Sequence, residues 1–319
     1  MSGFAWPRGL MTALVTPLAD DEIDVAALGR LIDYQVDAGA KGLVIGGGTG
    51  EFGSLSLAER AELAEHVVAL ADGRLTVVVQ TGALATRDAV WLSRRAQQAG
   101  ADALLVISPF GEAINWRERY DYYGQVTAST TLPVMIYNTP PAGLLDLEQL
   151  MQLSTLPTVG AVKDSAGDSM FLNDLLAARP EHGLEVYLGS DTMLLEGLLA
   201  GVTGCVFGVT SFIPGPIAHL VERSFAGASS QELLPIWGAL RPFLRFVEES
   251  SNYMSFCKVG CRRIGIDAGA VRSPYLMPDP AEIELFDRHF EHVRAALSEQ
   301  GLPDRFAVPH AQSSAATSR

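Results

Sequence analysis

At 319 residues the chain is long enough for two average domains or for one α/β barrel. A hydrophobic content of 48% supports a large core and excludes a disordered chain. Asp and Glu outnumber Lys and Arg by 37 to 23, a net charge of −14, which excludes the basic face that nucleic acid or an anionic membrane requires of a partner.

The first nine residues lack the apolar core of a signal peptide, and no later run approaches the roughly 18 apolar residues of a spanning helix. A cytoplasmic protein is expected. Along the chain a unit repeats. Ala38-Gly-Ala-Lys-Gly-Leu-Val-Ile-Gly46 recurs as Ala99-Gly-Ala-Asp-Ala-Leu-Leu-Val-Ile107 and again as Ala200-Gly-Val-Thr-Gly-Cys-Val-Phe207. Each copy reads as a helix ending at Gly, a short turn and a continuously apolar strand, the pattern of strands buried on both faces. Strands are predicted at residues 10–15, 42–45, 75–80, 103–107, 133–137, 159–163, 185–188 and 204–207. Between them lie helix-start signals: Ser56 with Glu59 as a capping box, Thr86 to Asp88, Asp146 and Asp191. Eight strands alternating with helices predict a (β/α)8 barrel over residues 1–228, with a doubly wound sheet as the alternative. Residues 229–300 carry three further helices, at about 231–249, 252–266 and 280–298, read as an appended layer of the same domain. Residues 301–319, rich in Ser, Ala and Pro, read as a disordered tail.

In such a barrel the chemistry sits at the carboxyl ends of the strands. The second strand ends in Gly46-Gly-Gly-Thr-Gly-Glu51, whose backbone can approach a ligand and offer N–H groups to a carboxylate or phosphate, with Thr49 as an extra donor. It lacks the Lys-Ser/Thr of a nucleotide P-loop. The fifth strand ends in Tyr137-Asn138, a phenol placed to move protons or simply a core aromatic. The sixth ends in Lys163, within Thr158-Val-Gly-Ala-Val-Lys-Asp-Ser-Ala-Gly-Asp168. Taken alone, Lys163 reads as a strand-end lysine reaching solvent. Burial disfavours an ammonium, however, and frees an amine to attack a ketone. A lysine nucleophile, a phenol and an N–H-rich cradle together make up a Schiff-base site for a 2-oxo acid. Cys205, Cys257 and Cys261 suggest no disulfide framework, and neither they nor the six histidines form a ligand-spaced cluster, so no metal is expected.

Gly47-Gly-Thr-Gly-Glu51, Tyr137-Asn138 and Lys163-Asp164-Ser165 resemble the signatures of the dihydrodipicolinate synthase/N-acetylneuraminate lyase family. The likeness runs from Leu14-Val-Thr-Pro-Leu18 to Asp267-Ala-Gly-Ala-Val-Arg-Ser-Pro274. It implies a (β/α)8 barrel with C-terminal helices, a homo-oligomer, usually a tetramer, and no cofactor beyond an imine between Lys163 and pyruvate or another 2-oxo acid. It further implies Tyr137 as proton relay, Gly48 and Thr49 as carboxylate holders, and Val206 as the wall beside the imine. Three departures bear on substrate. The synthase has a relay threonine where this chain has Gly48, a tyrosine in the region of Ser108-Pro-Phe-Gly-Glu112, and a carboxylate-binding arginine where this chain has Ala142. Losing such a partner costs about 1–3 kcal/mol, which argues against a lysine-pathway synthase. Gly46-Gly-Gly-Thr-Gly-Glu-Phe52 is more similar to the 5-dehydro-4-deoxyglucarate dehydratases, whereas Tyr137-Asn-Thr-Pro-Pro-Ala142 resembles the 2-keto-3-deoxy sugar acid aldolases. The expectation is a lyase of a 2-keto-3-deoxy sugar acid or similar pyruvate aldol. The alternatives are that dehydratase, the synthase, a binding protein on a retired barrel, and a phosphate-binding barrel enzyme without imine chemistry.

Overall fold

A continuous apolar run buried on both faces pairs most readily in parallel, and eight such runs here close on themselves. The computed structural model describes residues 4–302. Its barrel strands are β1 (Gly9–Ala13), β2 (Gly42–Ile45), β3 (Thr76–Gln80), β4 (Ala103–Ile107), β5 (Val134–Asn138), β6 (Val159–Asp164), β7 (Glu185–Leu188) and β8 (Gly204–Phe207). Each pairs in parallel with the next, and β8 returns to β1. This is the expected (β/α)8 barrel; the doubly wound sheet is excluded by the closure. Most strand ends fall where the sequence places them. The first strand stops at Ala13 rather than Val15, because the Val15 N–H leaves the ladder for Ser211 Oγ (3.3 Å). The sixth runs one residue further, through Asp164, since Asn138 and Asp164 continue the pairing.

The connecting helices are α1 (Val25–Asp37), α2 (Leu57–Ala71), α3 (Thr86–Ala99), α4 (Trp116–Ala128), α5 (Leu147–Ser154), α6 (Ser169–Ala177), the single turn α7 (Arg179–His182), α8 (Leu194–Ala200) and α9 (Pro214–Phe225). The Ser56–Glu59 capping box forms as expected, and Asp146 caps α5 by accepting from the Gln149 N–H. Thr86 opens α3, although without a side-chain cap. Side chains alternate between two cores. The larger lies between strands and helices; the smaller fills the barrel with Met11, Val44, Val78, Leu105, Met135, Tyr187 and Val206 among others.

After α9 come α10 (Ser230–Glu248), α11 (Tyr253–Arg263) and α12 (Pro280–Glu299), within a residue or two of expectation except that α11 ends at Arg263, just ahead of a left-handed Gly265. They do not simply overlie the barrel. Phe243 of α10, Phe286 and Phe290 of α12, and Phe212 from the turn after β8 pack largely edge to face, with ring centroids 5.6–6.0 Å apart. Gly260 of α11 lies flat against Phe212: a Cβ there would stand 2.4 Å from the ring. Gly301 and Leu302 close α12 through N–H bonds to Ser298 and Leu297, and the rest of the expected tail, residues 303–319, lies outside the described residues.

The seam between β1 and β8 rests on two glycines in register, Gly9 and Gly204. A Cβ on Gly204 would lie 2.0 Å from the Gly9 carbonyl oxygen, which is backbone and cannot turn aside. Gly204→Ala is expected to cost about 1–3 kcal/mol by overpacking, read as a lower denaturant midpoint with an unchanged slope.

Candidate active site

Parallel pairing places register partners on the same side of the sheet, and β5 and β6 pair Tyr137 with Lys163. Both point inward at the carboxyl end of the barrel. Lys163 is 6% exposed and its Nζ lies 4.4 Å from the centre of the Tyr137 ring. Burial works against a phenolate at Tyr137, but the Lys163 charge and the neighbouring Thr139 and Ser165 hydroxyls outweigh it and hold the phenol below its ordinary pKa. Ser165 Oγ is buried and has no hydrogen-bond partner. Gly189, just past β7, makes room for this group. A Cβ there would fall 2.0 Å from Ser165 Oγ and 2.8 Å from Lys163 Cε.

The loop after β2 forms the opposite wall. Gly46 is left-handed (φ +58°), and the Thr16 hydroxyl donates to the Gly50 carbonyl at 2.8 Å. Thr49 is buried and packs against Gly208 at the end of β8, where a Cβ would come within 2.6 Å of Thr49 Oγ1. Gly48 is exposed and open, with nothing within 4 Å of where its Cβ would stand. Val206 is in the barrel interior, in the same cluster against which Tyr137 packs. The five residues singled out in the sequence, Lys163, Tyr137, Gly48, Thr49 and Val206, therefore all lie at or below one mouth.

Other side chains at this mouth come from the C-terminal helices. Tyr253 of α11 donates its hydroxyl proton to Asp191 Oδ2 (2.8 Å) and accepts from the Gly208 N–H (3.0 Å). Glu248 of α10 accepts from the N–H groups of Asp191 and Thr192, both at 2.8 Å. Asp191 does open a helical turn (Asp191–Met193), as a first-turn acid, and its carboxyl is buried. Burial and the facing Glu248 push its pKa well up, against the opposing pull of Tyr253 and Lys163.

A family model for the dihydrodipicolinate synthetase family matches residues 6–291. The chain belongs to the dihydrodipicolinate synthetase family. It is 37% identical to a 4-hydroxy-tetrahydrodipicolinate synthase of Salinibacter ruber, over 72% of this chain and 78% of that one. It is 34% identical to an N-acetylneuraminate lyase of Rhizobium meliloti, over 69% and 74%. Among solved structures it is similar to a prophage protein of E. coli K12 from the dihydrodipicolinic acid synthase family, in complex with pyruvate, with TM-score 0.85, 25% identity and coverage of 91% and 99%. The family comprises class I pyruvate-dependent aldolases and lyases, which work through a covalent lysine–pyruvate Schiff base and not an external cofactor.

The hydroxyl side chains that act on the Tyr137 phenol are those of Thr139 and Ser165. Ser108 faces away, its Oγ 3.2 Å from the Tyr123 hydroxyl in the outer core. Ala142 is buried in a short 3-10 turn (Pro140–Ala142), and its carbonyl accepts from Arg119 Nη2 at 3.2 Å. Sequence reasoning missed Tyr253 and Glu248. Only the fold brings α10 and α11 to β7 and β8, and no local pattern marks them. Gly189 carried a readable signal, a glycine immediately after an apolar strand. Among the described residues no helix is long and apolar enough to cross a membrane, and no group of three or more His, Cys, Asp or Glu is placed to hold a metal.

Outside the mouth, Asp164 sits behind Lys163 and accepts from Asn138 Nδ2 at 2.7 Å. Burial raises its pKa to about 6, opposed by the Asn138 and Ala166 hydrogen bonds. A carboxyl raised in the folded state binds its proton more tightly there than in the unfolded chain. Its contribution is therefore most favourable below about pH 4 and is lost as pH rises through about 6. Relative to Asp164→Asn, which does not titrate, the wild type is expected to lose on the order of 2–3 kcal/mol between pH 4 and 7. Urea unfolding of both proteins across that range measures the difference.

Proposed function

We propose that this chain is a Schiff-base-forming lyase acting on a 2-oxo acid, with Lys163 as the amine and Tyr137 as the proton relay. The observation that carries this reading is the pairing of buried Lys163 with half-buried Tyr137, 4.4 Å from nitrogen to ring centre, with the phenol held below its ordinary pKa. Lys163 Nζ attacks the C2 ketone, and loss of water leaves an imine that draws electrons from C3. Tyr137 carries protons to the departing oxygen and later from the hydroxyl whose C–C bond breaks. The substrate carboxylate is received by the N–H groups of Gly48 and Thr49 and the Thr49 hydroxyl, and Val206 supplies the apolar wall below the imine.

The substrate class favoured is a 2-keto-3-deoxy sugar acid or a similar pyruvate aldol. Ala142 and Gly48 support it, because the carboxylate-binding arginine and relay threonine of the synthase are both absent. Thr139 and Ser165 supply hydroxyls suited to a polyol chain instead. The run from Gly46 to Phe52 favours a second reading, 5-dehydro-4-deoxyglucarate dehydratase, which differs by releasing carbon dioxide. A cytoplasmic setting fits three free, buried cysteines. A homo-oligomer, tetramer or dimer, fits the exposed Leu199 (58%) and Leu234 (52%), which line one shallow groove.

Borohydride added with pyruvate is expected to place a stable adduct on Lys163, found by peptide mass, and none on Lys163→Ala. Absence of an adduct in the wild type would end the imine mechanism. Tyr137→Phe is expected to retain some trapping while slowing turnover by roughly 10²–10⁴-fold. A panel of sugar acids, assayed for pyruvate and for carbon dioxide, separates the two substrate readings.

A further inference from the structure

The loop after β2 ends on a residue held from outside the barrel. Glu51 has φ +60°, a left-handed conformation that a residue with a Cβ rarely adopts, and its N–H donates to the Gly48 carbonyl at 3.0 Å. Its carboxylate is fully buried. Lys258 Nζ of α11 lies 2.6 Å from Oε1, and the Arg272 N–H donates to Oε2 at 2.8 Å. Lys258 also donates to the Ala270 carbonyl at 2.8 Å. Burying two charges removes both from water, so a pair of this kind contributes little net stability over apolar residues of the same volume. It does impose a direction and a distance. At the start of the same helix, Tyr253 meets Thr49 across Gly208: a Cβ on Gly208 would lie 2.6 Å from Thr49 Oγ1 and 2.7 Å from Tyr253 Cε1. Helix α11 thus reaches the loop at two points, at Glu51 through Lys258 in its middle turn and beside Thr49 through Tyr253 at its start.

Building on the function proposed above, we infer that α11 is a positioning element for the substrate carboxylate. Lys258, acting through Glu51, and Tyr253, acting through Gly208, hold the donors of Gly48 and Thr49 at the spacing a carboxylate needs. Neither Lys258 nor Tyr253 touches substrate in this assignment. The C-terminal helices are then part of the binding site.

The test compares two small ketones in borohydride trapping at Lys163: pyruvate, which carries the carboxylate, and hydroxyacetone, which does not. Lys258→Met alone strands a buried carboxylate, so the paired variant Glu51→Gln/Lys258→Met, which removes both charges and keeps the volume, is used in the full chain. The half-saturating pyruvate concentration is expected to rise roughly tenfold, the loss of about one well-formed hydrogen bond. The hydroxyacetone curve should stay within about twofold of wild type, since that ketone makes no use of the cradle. An unshifted pyruvate curve, or an equal shift for both ketones, overturns the inference and leaves the imine intact. No adduct in the wild type with either ketone removes the imine reading and this inference with it. Should the pair not fold, Tyr253→Phe, which leaves the Glu51–Lys258 pair intact and removes the acceptor of the Gly208 N–H, carries the same expectation of a pyruvate shift without a hydroxyacetone shift.

Discussion

The parallel register of a closed barrel is the constraint on which this molecule depends. Partners in adjacent parallel strands point to the same face, so the pairing of Tyr137 with Lys163 on β5 and β6 leaves neither side chain free to turn elsewhere. A slip of one residue on either strand would send one of them into the outer core. Closure also fixes how far apart they stand, because the barrel interior below is already filled by Met135, Ala161, Tyr187 and Val206. The lysine, itself buried, therefore meets an aromatic face and a phenol at the mouth. There its charge acts on the phenol far more strongly than it would at a surface.

Around that pair the site is made as much by missing side chains as by present ones. Gly189 yields the volume that Lys163 Cε and Ser165 Oγ occupy, and Gly208 yields the volume where Thr49 and Tyr253 meet. Gly48 is different, because its surroundings would accept a larger residue. The hydroxyl absent at position 48 is therefore not forced by packing. At the phenol, the hydroxyls that act are those of Thr139 and Ser165.

The charged groups are arranged so that few stand alone. Glu51 and Lys258 neutralise one another in a fully buried pair. Asp191, pushed toward its protonated form by burial and by Glu248, accepts from Tyr253 while the same hydroxyl accepts from the Gly208 N–H. These contacts tie α10 and α11 to the ends of β2, β7 and β8, and the Phe212, Phe243, Phe286 and Phe290 cluster ties α10 and α12 to the outer core. A hydrophobic cluster supplies the attachment, and directional polar contacts supply the alignment.

Much of this was legible in the chain. Continuously apolar runs, three of them preceded by a helix ending at Gly, mark parallel strands, and their spacing marks eight of them, because burial on both faces imposes that composition. Lys163, Tyr137 and the 46–51 loop follow from reading strand ends. The shortened first strand did not, since Val15 is as apolar as its neighbours and leaves the ladder only because Ser211, distant in sequence, takes its N–H. Nor did the part played by Tyr253, Glu248 and Lys258, which in sequence are ordinary residues of amphipathic helices. Their partners Gly208, Asp191 and Glu51 lie far away along the chain. Local pattern therefore determined the barrel, most of its strand ends and the residues that gather at its mouth, since those depend on periodicity and burial. Tertiary structure alone decided which distant side chains brace the mouth, because hydrogen bonds and ion pairs require atoms brought within about 3 Å and leave no periodic trace in the sequence.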